Sequence, residues 1–121
     1  MVPKALAIGP QIQKTFSAGN KAGVPLAFGT DAAVFPHGQN AREFQYMVEG
    51  MPPMEAIKSA TYHAAKVLDR LNEIGTLSPG KRADIIAEDT DPLQDVTALQ
   101  KVTFVMKNGV VCKGTSDSHV P

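Results

Sequence analysis

The hydrophobic pattern of the first 74 residues predicts helices around one buried strand. Apolar residues at helical spacing predict a helix that begins at Pro10 and ends near Gly23. The next segment, "VPLAFG", is almost continuously apolar, which is typical of a strand in a parallel sheet, so we expect a strand at about 24–30. Patterns typical of amphipathic helices follow at 41–49 and 54–71. This order of elements indicates an α/β fold.

The pattern changes after residue 74. Alternating residues predict strands at about 102–107 and 110–113, and the Asn108-Gly109 pair between them is a strong β-hairpin signal. A shorter strand is predicted at about 84–88, with a loop and one helical turn between it and the hairpin. The segment after residue 74 is therefore expected to be mostly antiparallel sheet.

Composition narrows the class of protein. The chain has 121 residues, and its 12 basic side chains equal its 12 acidic ones, so nothing indicates a nucleic acid or an anionic membrane as partner. Its apolar runs are too short to span a bilayer, and its first residues lack a signal-peptide pattern. The single cysteine, Cys112, excludes an internal disulfide and is expected to be a small buried apolar residue. We therefore expect a cytoplasmic protein.

The strand at 24–30 poses a structural problem. A parallel strand needs neighbours on both edges and cover on both faces, and no second strand is predicted before residue 84. We therefore interpret the chain as part of something larger.

Three blocks of sequence carry a resemblance that fits this interpretation: "AGVPLAFGTDA", "HGQNAREFQYMVEGMPPMEAIKSATYHAAKVL" and "IGTLSPGKRADIIAEDTDPLQDVTALQKVTFVMKNGVVCKG". Over about residues 10–114 they resemble the C-terminal part of the metal-dependent amidohydrolase superfamily. The nearest branch is imidazolonepropionase-like and Xaa-Pro dipeptidase-like (prolidase-like). The resemblance implies a (β/α)8 TIM barrel that holds one or two divalent metal ions, usually zinc, beside a small β-sandwich.

The resemblance also implies an organisation for this chain. Residues 1–74 would be the C-terminal part of the barrel, with 24–31 as its eighth strand and 54–71 as the helix behind it. Residues 75–114 would be part of the composite β-sandwich, followed by a polar tail at 115–121.

Asp31 is the first candidate for chemistry, because it follows the apolar segment directly. From the residues alone, an aspartate after a strand more often caps the next turn. The resemblance instead implies that Asp31 is both a metal ligand and the general base, at the end of the barrel strand where active sites of such barrels lie. A metal ion would lower the pKa of its bound water from near 16 towards about 7.

Other polar residues are weaker candidates for a role in catalysis or binding. His37 follows in the loop and is a candidate for substrate binding, with a solvated loop histidine as the alternative. Substrate contact is also an alternative for Asn40 and Arg42, but capping and surface solvation are the favoured roles. Asn40 with Glu43 resembles a capping box. His63 is expected to be a packed or surface helix residue, and His119 in the polar tail is not expected to bind metal.

The metal site that the resemblance implies needs more ligands than this sequence contains. The chain has no HxH pair, and zinc sites use about three or four protein ligands. Two hypotheses remain. In one, the chain is part of a hydrolase that cleaves C–N bonds of a small-molecule cyclic amide or dipeptide such as Xaa-Pro, and is inactive alone. In the other, it is a non-catalytic α/β fragment that associates with itself or with the missing barrel segments. Both predict an oligomer or a complex rather than a free monomer.

Overall fold

The computed structural model describes residues 2–33 and 35–114, with side chains from residue 6 onward. A short 3-10 helix, Asn40–Arg42, leads into one of its helices. The α-helices are α1 (Val2–Lys21), α2 (Glu43–Met47), α3 (Pro53–Ala60) and α4 (Tyr62–Val67). None of the described helices is long and apolar enough to cross a membrane. The tail at 115–121, which includes His119, lies outside the described residues.

A small antiparallel sheet forms after residue 74, as the sequence predicts. Its strands are paired in the order β1 (Ile85–Ala87), β2 (Phe104–Lys107) and β3 (Val110–Lys113). A second 3-10 helix, Val96–Gln100, supplies the single helical turn predicted between β1 and β2. The three strand predictions are confirmed to within two residues at their ends.

The hairpin between β2 and β3 is confirmed at Asn108-Gly109. Both residues have positive φ, 49° and 78°, as a type I′ turn requires. The carboxylate of Asp84 fixes this turn, because it accepts hydrogen bonds from the Asn108 backbone N–H at 2.8 Å and the Lys107 Nζ at 2.6 Å. The hairpin is thus tied to the residue that precedes β1.

Helix α1 begins earlier than predicted. It starts at Val2 and continues past Pro10, although a proline inside a helix removes one backbone hydrogen bond. The predicted end is correct: Gly23 has φ 76°, and the Gly23 and Val24 N–H groups donate to the carbonyls of Asn20 and Gly19, each at 3.0 Å. This pair of bonds is a Schellman motif, in which a glycine accepts the left-handed conformation at low cost.

The prediction of one helix at 54–71 is wrong. Helix α3 starts at Pro53, and the backbone breaks at Thr61, where φ is −122° and ψ is −86°. The Thr61 hydroxyl donates to the Ile57 carbonyl at 2.9 Å, a side-chain bond that competes with helical pairing. Helix α4 ends at Val67, and Asp69 takes a left-handed conformation with φ 54°.

The prediction at 41–49 is correct in type but not in detail. The helical stretch begins as a 3-10 helix at Asn40, its α-helical part ends at Met47, and no side-chain bond caps its start. The capping box between Asn40 and Glu43 is therefore wrong. The first turn is 3-10 rather than α, so the spacing that a capping box needs is not available.

The strand predicted at 24–30 does not form. Residues 24–31 have no regular secondary structure, because a strand requires hydrogen bonds to a neighbouring strand and none of the described strands lies beside this segment. Besides the Val24 N–H bond to α1, the segment is linked to the helices by the Phe28 N–H, which donates to the carbonyl of Ser59 near the end of α3 at 3.0 Å. The burial expected of this segment is also not observed: Leu26 and Phe28 pack against the core and stay partly exposed, and Val24 is 52% exposed.

The main core joins the helices to this segment. Met47, Met51 and Ala56 are buried, and the partly buried side chains around them come from α1, the 24–31 segment and α2. The predicted apolar face of the last two helices behaves differently. Ile57, Ala64 and Leu68 line an open depression of about 620 Å³, and Leu68 is 63% exposed. That face therefore has little cover among the described residues.

Cys112 is exposed, so its predicted burial is wrong. It lies in β3, which is an edge strand of the described sheet. A side chain on an edge strand is buried only when another layer covers that face, and none of the described elements covers it.

Candidate functional site

Asp31 lies where the apolar segment meets the following turn. It has φ 49°, which is uncommon for a residue with a Cβ and most tolerated by Asp and Asn, and its carbonyl accepts the Ala33 N–H at 2.9 Å. Its side chain is exposed and makes no hydrogen bond or ion pair with another described residue. The carboxylate is therefore presented outward, and the predicted roles of Asp31 as ligand and base stay predictions.

His37 is also exposed, in the turn that separates Asp31 from the 3-10 helix Asn40–Arg42. No side-chain hydrogen bond joins it to another described residue. The candidate role in substrate binding and the solvated alternative both stay open for His37.

An aromatic pair fixes the Asp31 segment against the next helix. The rings of Phe28 and Phe44 stack with centroids 4.6 Å apart and an interplanar angle of 21°. Such pairs stabilise by about 0.5–1.5 kcal/mol beyond the burial of their area. The stack sets the position of Asp31, three residues after Phe28, relative to α2.

Helix α2 is also held from two other sides. From α1, the Gln13 Nε2 donates to the Tyr46 carbonyl at 2.9 Å and to the Glu49 carboxylate at 2.8 Å. From the 3-10 helix Val96–Gln100, the Gln100 Nε2 donates to the Gln45 Oε1 at 2.9 Å. The segment after residue 74 therefore contacts the helix next to Asp31 directly.

A depression of about 230 Å³ lies between the Asp31 segment and α2. Its lining includes Thr30, Phe35, Gln39, Arg42, Glu43 and Tyr46. Thr30 directly precedes Asp31, so the depression begins within one residue, about 3.8 Å along the chain, of the candidate ligand. Arg42, which was expected to be a surface residue, is exposed and is part of this wall.

The donors in the described residues do not form a metal site by themselves. No group of three or more His, Cys, Asp or Glu side chains among them is arranged to hold an ion. Zinc sites need about three or four protein ligands, so Asp31 alone does not fit as a complete site. A metal bound at Asp31 would require ligands beyond those described.

His63 lies away from Asp31, on α4. It is half-buried, its Nε2 is 3.8 Å from the Glu55 carboxylate, and its ring meets Tyr62 edge-on at 5.3 Å. The pKa of Glu55 is lowered, chiefly because Lys58 donates a hydrogen bond to it, with a smaller contribution from His63. These contacts are those of a packed helix residue, as the sequence indicates.

Comparison with known proteins places these features in a family. A sequence profile described as the Amidohydrolase family matches residues 3–112. The chain belongs to the amidohydrolase family. The resemblance that the sequence blocks suggested is thereby confirmed at the level of the family.

Two curated proteins that are similar to this chain carry different enzyme names. An ochratoxinase from Aspergillus niger is 41% identical over 117 residues, which is 92% of this chain and 24% of the relative. An imidazolonepropionase from Caldanaerobacter subterraneus subsp. tengcongensis is 37% identical over 75 residues, which is 59% of this chain and 18% of the relative. The chain thus spans about a quarter or less of the length of these amidohydrolases.

A solved structure gives the similarity in fold. The crystal structure of a Xaa-Pro dipeptidase with bound methionine in the active site has 48% sequence identity and a TM-score of 0.86, over 93% of this chain and 28% of that one. The helices and small sheet of the chain therefore match one part of a larger amidohydrolase. The barrel, and the division of the chain at residue 74, stay predictions.

Sequence reasoning missed the depression beside Asp31. Its walls come from two segments that meet through the Phe28–Phe44 stack and the core, and a pattern along the chain does not show those contacts. One signal was present: Arg42 and Tyr46 are four residues apart, so a helical backbone places them on one face.

Proposed function

We propose that the chain is the C-terminal part of a metal-dependent hydrolase that cleaves a C–N bond in a small molecule. The observation that carries the proposal is the placement of Asp31. Its carboxylate is exposed at the end of the 24–31 segment, without an internal partner, in a chain that belongs to the amidohydrolase family. An aspartate that only capped the next turn would have its carboxylate bonded to a nearby N–H.

In this proposal Asp31 supplies one carboxylate ligand and accepts a proton from the attacking water. The metal, for which zinc is the proposed identity, supplies the acidification of that water. The other ligands would come from parts of the enzyme outside the described residues, so we propose that the isolated chain is inactive. A cytoplasmic location is proposed on composition alone.

We further propose that the substrate is a dipeptide rather than a cyclic amide. The support is the ranking of similarities: identity is 48% over 93% of the chain to the Xaa-Pro dipeptidase that holds methionine, against 37% over 59% to the imidazolonepropionase. Both methionine and the product of a dipeptidase carry a free carboxylate.

Metal removal tests the proposal. The complete enzyme that contains this chain should lose activity toward Xaa-Pro dipeptides on dialysis against a chelator and recover it with zinc. The chain alone should retain no stoichiometric zinc after dialysis, by elemental analysis. Full activity in the metal-free enzyme would contradict the proposal, as would one tightly held metal per isolated chain that is lost on Asp31→Ala.

A further inference from the structure

We propose that Arg42 recognises the carboxylate of the substrate, with the Tyr46 hydroxyl and the Gln39 amide as additional donors. This inference rests on the proposed function and names the group that the depression beside Asp31 binds. It assigns to Arg42 a contact with substrate, the role that the sequence favoured less for Arg42 than for His37.

The first support is the state of Arg42 itself. The chain has three arginines, and the other two, Arg70 and Arg82, both pair with the Glu73 carboxylate, at 2.7 and 3.3 Å. Arg42 forms no ion pair, and its side chain makes no hydrogen bond, with another described residue. A guanidinium presents five N–H donors in a planar fork that matches a carboxylate, so Arg42 has its full donor set available for a ligand.

The second support is location. Arg42 lines the depression of about 230 Å³ that begins at Thr30, next to Asp31. Phe35 and Tyr46 give this depression aromatic walls, and His37 is not among the described residues that line it. A carboxylate held there would lie against Thr30, the residue that directly precedes Asp31.

The third support is rigidity. The backbone that presents Arg42 and Tyr46 is held by the Phe28–Phe44 stack, by Gln13 of α1 and by Gln100 of the second 3-10 helix, the last through Gln45. Binding groups fixed in place before a ligand arrives lose less entropy on binding, which favours a specific contact.

Glu43 is the one group on this wall that opposes the proposal. Its carboxylate is half-buried in the same lining and would repel an anion. Glu43 and Arg42 form no ion pair within 4 Å, so Glu43 does not neutralise the guanidinium directly. We expect Glu43→Gln to strengthen binding of the carboxylate, in the direction opposite to a substitution at Arg42.

The test uses the complete enzyme and two ligand pairs that differ only at the carboxylate: Met-Pro against Met-Pro amide as substrates, and methionine against methioninamide as ligands in calorimetry. Arg42→Met should raise KM for Met-Pro about 10- to 100-fold, as expected for loss of hydrogen bonds to a charged group. KM for the amide and kcat should change little. Arg42→Lys, which keeps the charge but not the fork, should fall between.

Arg70→Met is the matched control, because it removes an exposed arginine that does not line the depression and should leave the substrate preference intact. Thermal unfolding of each variant identifies any that fail to fold, and Arg42→Lys then carries the test. A wild-type preference for the carboxylate that survives in Arg42→Met, or no preference at all, overturns the inference and leaves the proposed function standing.

Failure of the proposed function gives a different result. An enzyme that cleaves neither dipeptides nor cyclic amides contradicts that function. Calorimetry then decides the inference by itself: methionine bound more tightly than methioninamide only when Arg42 is present supports it, and equal binding of the two overturns it.

Discussion

Residues 24–47 and residues 75–114 both contain a segment that the sequence predicts as strand, and they differ in where the partners of that segment lie. In the second region, β1, β2 and β3 pair with one another, and the hairpin turn is fixed by Asp84. In the first region, the 24–31 segment makes one backbone hydrogen bond to α3 and pairs with none of the described strands. A short chain can thus build a sheet from hairpin contacts, whereas a parallel strand depends on distant segments.

The two regions also differ in whether their polar side chains are bonded within the fold. The second region uses several of its carboxylates internally: Asp84, Asp91 and Asp95 each accept a hydrogen bond from a nearby backbone N–H. The first region leaves Asp31, His37 and Arg42 without side-chain partners among the described residues. Groups that a fold does not use internally are available for a ligand.

The largest effect is expected at Asp31, in the first region. In the complete enzyme Asp31→Asn should lower kcat/KM by more than the about 100- to 10,000-fold usually attributed to a general base, because ligand and base are lost together. Asn tolerates the positive φ, so the backbone should be preserved. Asp69→Asn is the control, since Asp69 is exposed and has a similar φ, 54° against 49°. Equal loss in both variants would contradict a special role for Asp31.

The next prediction concerns the unpaired first region together with helix α1, which precedes it. Any folded form of the chain should sediment at micromolar concentration as an oligomer, or as a complex with the rest of the barrel. The reason is apolar surface: Leu6, Ile8 and Ile12 on α1 are 72%, 44% and 60% exposed, and the 24–31 segment has free edges. A compact monomer near 12.9 kDa that melts cooperatively would show instead that the first region is self-sufficient.

A smaller effect is expected at Gly75, where the second region meets the helices before it. A Cβ there would lie 2.6 Å from the Ala65 Cβ and 3.0 Å from the Thr61 carbonyl. Gly80 has a similar φ, 86° against 91°, but open space around it. Gly75→Ala should therefore cost about 1–3 kcal/mol more than Gly80→Ala, the amount that overpacking adds to the shared backbone strain. Urea unfolding of both variants measures the difference, and equal costs would mean that α4 moves aside freely.

The smallest effect is electrostatic and belongs to the second region. The pKa of Asp84 is lowered, first by the Lys107 hydrogen bond and then by the Asn108 N–H. A carboxylate whose pKa is depressed by folding contributes stability above its unfolded pKa, about 3.9, and loses it as pH falls through the folded pKa. The stability difference between wild type and Asp84→Asn should therefore be constant above about pH 5 and shrink below pH 4. A difference that grows on acidification would contradict this sign.

The second region could be predicted from sequence because its signals are local. Asn108-Gly109 specifies a turn, and the alternation on either side specifies strands that meet through that turn. The break at Thr61 could not be predicted, because it depends on the Thr61 hydroxyl, which donates a hydrogen bond to the Ile57 carbonyl rather than to solvent. The same holds for Cys112, whose burial depends on layers that other segments would have to provide.

The residues of the candidate site also differ in how far the sequence predicts their role. Asp31 was found because a sequence block resembles an amidohydrolase, and chemistry alone favoured a turn cap. The sequence favours a surface role for Arg42. No pattern along the chain shows that Arg42 and Thr30 line the same depression, next to the stacked rings of Phe28 and Phe44. Local patterns predict which residues are polar and exposed, and only the tertiary contacts show which of them face the same depression.

The exposed thiol of Cys112 makes the edge of the small sheet chemically addressable. It is the single cysteine of the chain and lies on β3, at one edge of the sheet. A thiol reagent therefore reacts at one position, and its rate measures how far that edge is covered. If the Cys112 thiol reacts slowly on assembly and rapidly again on dissociation, its reaction rate reports whether the chain has joined the rest of its enzyme.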